Sequence, residues 1–205
     1  PTSLSWKGCS MDSRPSDVPG PLKVPMPVKI VVAGGFGVGK TTFVGSISEI
    51  DPLRTEAAMT GRSVGVDVVN DQTAKTATTV AMDFGRITLG NDDLILYLFG
   101  TPGQERFHFM WDELVKGAIG AVILVDTTRL ADSFAAIDYF EARGLPFVVS
   151  VNCFNGVVTH NTDDVRAALA LSESVPLFLT DARERTSTRD ALLTLVTHAL
   201  SLARG

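Results

Sequence analysis

Cysteine is scarce in this chain: Cys9 and Cys153 are the only two among 205 residues, which excludes a disulfide framework and a cysteine-built metal cluster. An excess of positive charge is missing too. The net charge of -5 argues against a surface made to grip nucleic acid or an anionic membrane. Long apolar runs are absent. Gly120 to Val125 and Pro146 to Val151 are far too short to span a bilayer, and no charged-then-apolar leader opens the chain. The expected location is cytoplasmic, with any membrane contact made through a partner and none by direct insertion. There is no internal repeat. An apolar share of 45% and a charged share of 20% are those of an ordinary globular protein. A mass of 21.9 kDa suits one α/β domain with a tail.

Six of the ten prolines fall in residues 1–27, mixed with Ser, Asp and Gly and without apolar periodicity, so this stretch reads as an extended or disordered arm. Residues 28–205 read as the folded domain. Strands are expected at Val28 to Ala33, Val80 to Leu89, Leu94 to Phe99, Ala121 to Val125, Phe147 to Val151 and Pro176 to Leu179. Helices are expected at Lys40 to Ile47, Phe109 to Lys116, Leu130 to Ala142, Thr162 to Leu171 and Thr188 to Ala203. Such alternation implies crossover units on a mostly parallel six-stranded sheet with helices on both faces, and ligands at the carboxyl ends of the strands.

One motif carries definite chemistry. Gly34-Gly35-Phe36-Gly37-Val38-Gly39-Lys40-Thr41 follows an apolar strand and opens a helix, as the G-x-x-x-x-G-K-[ST] phosphate loop requires. Its glycines allow backbone N–H groups to turn inward as an anion nest, with the helix N-terminus adding its positive dipole end. Gly34, Gly37, Val38, Gly39 and Thr42 belong to the cradle, Lys40 reaches the β- and γ-phosphates, and Thr41 ligates Mg²⁺. The bland alternative is a Gly-rich turn with a chance Lys-Thr.

Leu98-Phe99-Gly100-Thr101-Pro102-Gly103-Gln104-Glu105-Arg106-Phe107, at the end of an apolar strand and ahead of a helix, closely resembles the D-T-A-G-Q-E switch motif of Ras-like GTPases. With Ala33 to Thr42, Asp83-Phe84-Gly85-Arg86 and Phe109-Met110-Trp111-Asp112, it is similar to bacterial Ras-like GTPases. Among them it looks most like the GTPase component of actinobacterial conservons, relatives of the polarity switch of gliding bacteria. The resemblance implies a three-layer P-loop NTPase fold, GTP and GDP as ligands with Mg²⁺, and slow hydrolysis. It also implies two partners, a roadblock-type regulator and a sensor-kinase-like protein.

By the same resemblance Gly103 bonds the γ-phosphate through its N–H and Gln104 orients the attacking water. The Asp that Ras-like proteins place behind Mg²⁺ is Gly100 here. Asp83, on the neighbouring expected strand, is the candidate substitute, and a strand-edge Asp satisfied by backbone is the other reading. A switch threonine for Mg²⁺ is expected in the loop-like segment Glu56 to Thr79, Thr79 first and Thr78 second. Phe36 stands where Ras-type proteins usually have Gly; it either crowds the catalytic glutamine or packs harmlessly, against Phe107 for example.

Ras-like proteins read guanine with N-K-x-D and S-A-K loops. Here Asn152-Cys153-Phe154-Asn155 and Thr180-Asp181-Ala182-Arg183 occupy those places. Asn152 would tie the loops together, the Ala182 N–H would donate to guanine O6, and Asp181 and Arg183 would flank it. Cys153 replaces the Lys that covers the base, and Asn155 replaces the Asp that accepts both guanine N–H groups, while adenine is expected to be a poor ligand. A plain αβ connection with Asn at its turns is the alternative. Three functions stay open: a signalling GTPase, a nucleotide-binding scaffold with little turnover, and a P-loop ATPase or small kinase.

Overall fold

The computed structural model describes residues 24–51, 53–59, 78–89 and 94–204. Its strands are β1 (Met26–Ala33), β2 (Leu53–Met59), β3 (Thr78–Leu89), β4 (Leu94–Gly100), β5 (Ala118–Val125), β6 (Phe147–Asn152) and β7 (Leu177–Thr180). Its helices are α1 (Lys40–Ile47), α2 (Trp111–Leu114), α3 (Phe134–Ala142), α4 (Thr162–Ala168) and α5 (Arg185–Arg204). The sheet order is β2-β3-β4-β1-β5-β6-β7, parallel from β4 through β7 and antiparallel at β2-β3 and β3-β4.

All six strands expected from the sequence are present, and β2 is added at the edge. Glu56–Met59, expected as loop, pairs antiparallel with Thr78–Ala81. The run LRTEAAM has no clean period-two apolar pattern, so its strand form comes from the ladder with β3. Residues 60–77, the rest of the expected switch segment, and residues 1–23 of the arm lie outside the described residues. Met26 and Pro27, placed with the arm, belong to β1.

Alternation along the central strands makes two cores. Ile30, Val32, Leu96, Leu98, Val122 and Leu124 face α1 and α5, meeting Phe43, Ile47, Leu192 and Leu195. Val31, Ala33, Ile123, Val125 and Val149 face the other way, toward Phe140, Val165 and Trp111. With both faces covered, these strands read as near-continuous apolar runs.

Three expected helices are shorter than their patterns suggest, and one of them, α4, ends at Ala168 and not at Leu171. Glu105–Met110 is a 3₁₀ segment leading into the single turn of α2, and the Trp111 indole N–H donates to Pro102 O at 3.2 Å. Thr127–Ser133 is likewise 3₁₀, kinked at Arg129 (φ -137°, ψ 50°), before α3 begins. The strand ends carry Gly34, Thr101, Asp126, Cys153 and Asp181 to one edge of the sheet, where ligands of such folds bind.

Candidate functional site

The turn from β1 into α1 is glycine where it must be. Gly39 has φ +107°, and a Cβ there would lie 2.6 Å from Asn152 Nδ2, so a side chain is excluded both by backbone strain and by space. Lys40 follows as the first residue of α1, and its ammonium donates to Gly34 O at 2.9 Å and Gly35 O at 2.6 Å. Together with Phe36, Gly37, Gly39, Thr41, Thr42, Asp83, Thr101, Pro102 and Gly103 it lines a recess of about 450 Å³. Val38 is buried behind the loop. Gly103 lies close against the lysine, a Cβ on it falling 2.6 Å from Lys40 Nζ.

Burial pushes the Lys40 ammonium down to about 8, with nearby Asp83 pulling the other way. Where the loop holds phosphate, as its motif implies, the charged form would face it, and affinity for a triphosphate should be highest below this value and fall as pH rises through it. Between about pH 8 and about pH 9 linkage gives a loss of roughly fivefold, with proton uptake on binding. Titration calorimetry in buffers of different ionisation enthalpy measures both.

Asp83 reaches the loop. Its Oδ2 accepts the Thr41 hydroxyl at 2.6 Å. A Cβ on Gly100 would lie 3.1 Å from Asp83 Cβ and 3.2 Å from Asp83 Oδ2, so the carboxylate of β3 occupies the space into which a side chain at 100 would project. Thr41 and Asp83 present hard oxygen donors of the kind that suits Mg²⁺, while the Thr101 hydroxyl oxygen is buried and finds no hydrogen-bond partner among the described residues. Thr79 lies in β3 opposite Ala58, and its side chain is outside what the structure describes.

Gln104 is not brought into this recess. Arg106 Nε donates to its Oε1 at 2.8 Å, and Gln104 lines a second recess with Gly34, Gly35, Phe36, Gly103, His108 and Trp111. Phe36, 62% exposed, lines both recesses, as does Gly103. Phe107 is buried, with the Arg106 guanidinium 4.7 Å from its ring centre. Arg129, a residue that no motif singles out, places Nη2 3.4 Å from where a Gly37 Cβ would be, and is held by Asp126 at 3.4 Å and Asp132 at 3.8 Å. The kink at Arg129 aims it there, and no local pattern announces that kink.

At the other end of the site Asn152 bridges two loops. Its Nδ2 donates to Val38 O at 2.9 Å and its Oδ1 accepts the Ala182 N–H at 3.1 Å. The Ala182 N–H, expected to face guanine O6, is therefore engaged by Asn152. Cys153, at the place where Ras-like proteins have the Lys that covers the base, is turned inward and buried, donating weakly to Val151 O at 3.7 Å. Asn155 sits in the left-handed region (φ +58°), a turn conformation Asn tolerates, and its Oδ1 accepts from Arg183 Nη1 at 2.6 Å. The same guanidinium forks onto Asp181 at 3.0 and 2.7 Å, and that fork holds the Asp181 carboxyl down at about 2.

Known proteins share this architecture. The chain is 29% identical over 127 residues to an uncharacterized protein of Methanocaldococcus jannaschii, across 61% of this chain and 69% of that one. It is 23% identical over 184 residues to the Ras-related protein Rab-7b of Homo sapiens, across 85% of this chain and 83% of that one. The solved G domain of the T. maritima FeoB iron transporter matches with a TM-score of 0.57 at 16% identity, over 87% of this chain and 99% of that one. The cytosolic domain of that transporter in its GDP form matches with a TM-score of 0.61 at 14% identity, over 85% of this chain and 64% of that one, so the chain spans less than two thirds of it. These structural likenesses bear on the fold, an α/β P-loop NTPase-like domain. Residues 32–202, which include the phosphate loop, Asp83 and both base-side loops, match the family described as conserved hypothetical ATP binding protein, and the chain belongs to that family.

Proposed function

We propose that this chain is a cytoplasmic guanine-nucleotide switch that holds GTP or GDP with Mg²⁺, hydrolyses GTP slowly and signals to partner proteins. The observation that carries this reading is the Thr41–Asp83 pair beside Gly100. It returns a carboxylate to the place from which the switch motif has lost one. Lys40 and the loop N–H groups would hold the phosphates, Thr41 and Asp83 the metal, and Gly103 the terminal phosphate. The metal, when bound, neutralises charge developing on the phosphates. Partners of the roadblock and sensor-kinase type come from the conservon resemblance, and recruitment to a membrane would pass through them.

The placing of Gln104 supports a slow reaction. Gln104 is tied to Arg106 and lines the second recess, so it must leave that bond before it can orient water above the phosphates. Gln104→Leu is expected to lower single-turnover hydrolysis by about tenfold while nucleotide affinity stays within about twofold, because the glutamine acts on water and not on the bound nucleotide. If parent and variant hydrolyse at the same rate, the chain is a scaffold and not a timed switch.

A second reading, ATP as the ligand, is favoured by the family description and by the engaged Ala182 N–H and Asn155 Oδ1. With its oxygen held by Arg183, the Asn155 amide offers donors, and adenine N1 is an acceptor. Extracting and separating the nucleotide carried by the purified protein decides between them. Guanine nucleotide supports the switch; adenine nucleotide with no guanine overturns it.

A further inference from the structure

The amide of Gln104 has one acceptor atom, Oε1, and that atom takes the Arg106 Nε–H at 2.8 Å. A glutamine that orients an attacking water accepts one of the water's protons at the same oxygen. Arg106 therefore occupies the atom on which hydrolysis would depend. The hold is a firm one, because the guanidinium lies 4.7 Å from the ring centre of buried Phe107 and is anchored there to the core.

Arg106 is itself exposed. With Nε engaged by the glutamine, Nη1 and Nη2 still carry four N–H donors, in the fork geometry that matches a carboxylate. In the 3₁₀ segment Glu105–Met110 residues three apart share an edge, so Phe109 stands beside Arg106. Phe109 is 58% exposed, and Phe36, which lines the recess of Gln104, is exposed as well. An exposed cation beside an exposed ring, with a second ring at the recess of the residue it holds, complements a protein surface that carries an acid within an apolar rim.

We propose that Arg106 is a brake on Gln104, and that an activating partner protein releases it by offering a carboxylate to the guanidinium. This rests on the nucleotide reading given above. Arg106 acts through the glutamine, as a positioning residue, and touches neither nucleotide nor water. Such an activator brings an acid to the site, the opposite of one that inserts an arginine finger.

The test follows single-turnover hydrolysis of GTP and of ATP by the full chain and by Arg106→Met, which keeps a stem over Phe107 and loses the donors. Arg106→Met should hydrolyse the parent's preferred nucleotide about fivefold faster, with affinity within about twofold, because more of the glutamine is then in its competent state. In a Gln104→Leu background the same change should do nothing. Phe109→Glu sets a carboxylate on the edge it shares with Arg106, in place of the partner's, and should quicken hydrolysis about as much, while Phe109→Gln should keep the parent's rate. No gain from Arg106→Met overturns the brake, and so does a gain that persists without Gln104. A rate for Phe109→Glu no higher than that for Phe109→Gln overturns the acidic partner. A parent that binds neither nucleotide sinks the nucleotide reading itself, whereas a parent that binds one and is not quickened by Arg106→Met sinks the brake alone.

Discussion

Lys40→Ala should reduce triphosphate affinity by about a hundredfold or more, the largest loss expected from any single side chain. The estimate follows from removing charge-assisted hydrogen bonds to more than one phosphate at about 1.5–3 kcal/mol each. The fold should survive. Lys40 holds its proton against burial, so the nucleotide-free variant loses a desolvated charge as well as two bonds to Gly34 O and Gly35 O. Lys40→Met, which keeps the buried stem, should melt at or above the temperature of the parent while binding as poorly as Lys40→Ala. Unchanged affinity in a fluorescence titration of either variant would remove the phosphate-loop assignment.

Asn155→Asp should produce a gain. Guanine presents two donors on the edge that the N-K-x-D loop reads, and a carboxylate accepts both, whereas an amide whose oxygen is already taken by Arg183 presents only donors to it. The mismatch leaves a buried polar pair unsatisfied at about 1–3 kcal/mol. The parent should therefore bind GDP weakly relative to XDP, and the substitution should raise GDP affinity by about tenfold and lower XDP affinity by a similar factor. A carboxylate has about four lone-pair sites on its two oxygens, so it can accept both guanine donors and still accept from Arg183, and the bridge between the two loops need not break. Competition titrations with GDP, XDP and ADP measure the exchange. If all three affinities are unmoved, residue 155 does not touch the base and specificity lies elsewhere.

The phosphate loop was legible in the sequence because its geometry is local: four fixed positions between an apolar strand and a helix determine it. Asp83 was legible for a different reason. The missing carboxylate at Gly100 left a role to fill, and the neighbouring strand held one candidate. What could not be read depends on residues far apart in the chain. β2 exists through its ladder with β3, and its own composition would not make it a strand. The bond from Arg106 to Gln104, the turn of Cys153 into the core and the capture of the Ala182 N–H by Asn152 are decided by packing, and the first and last bear on roles that the Ras-like resemblance implied. The 3₁₀ stretches before α2 and α3 carry helical periodicity without the length of an α-helix. The unpaired hydroxyl of Thr101 has no sequence signature at all, because a threonine in a turn looks the same with or without a partner.

The crowding of Gly100 against Asp83 also bears on history. A β-carbon at 100 would sit 3.1 Å from that of Asp83, so one small volume serves two alternative sources of the same carboxylate, one on β4 and one on β3. A lineage passing from one arrangement to the other by single substitutions crosses a chain that has either two acids in that volume or none. Two acids repel and clash; none leaves the cation without its support. The two arrangements are thus neighbours in space that exclude one another, and positions 83 and 100 are exchangeable only as a pair.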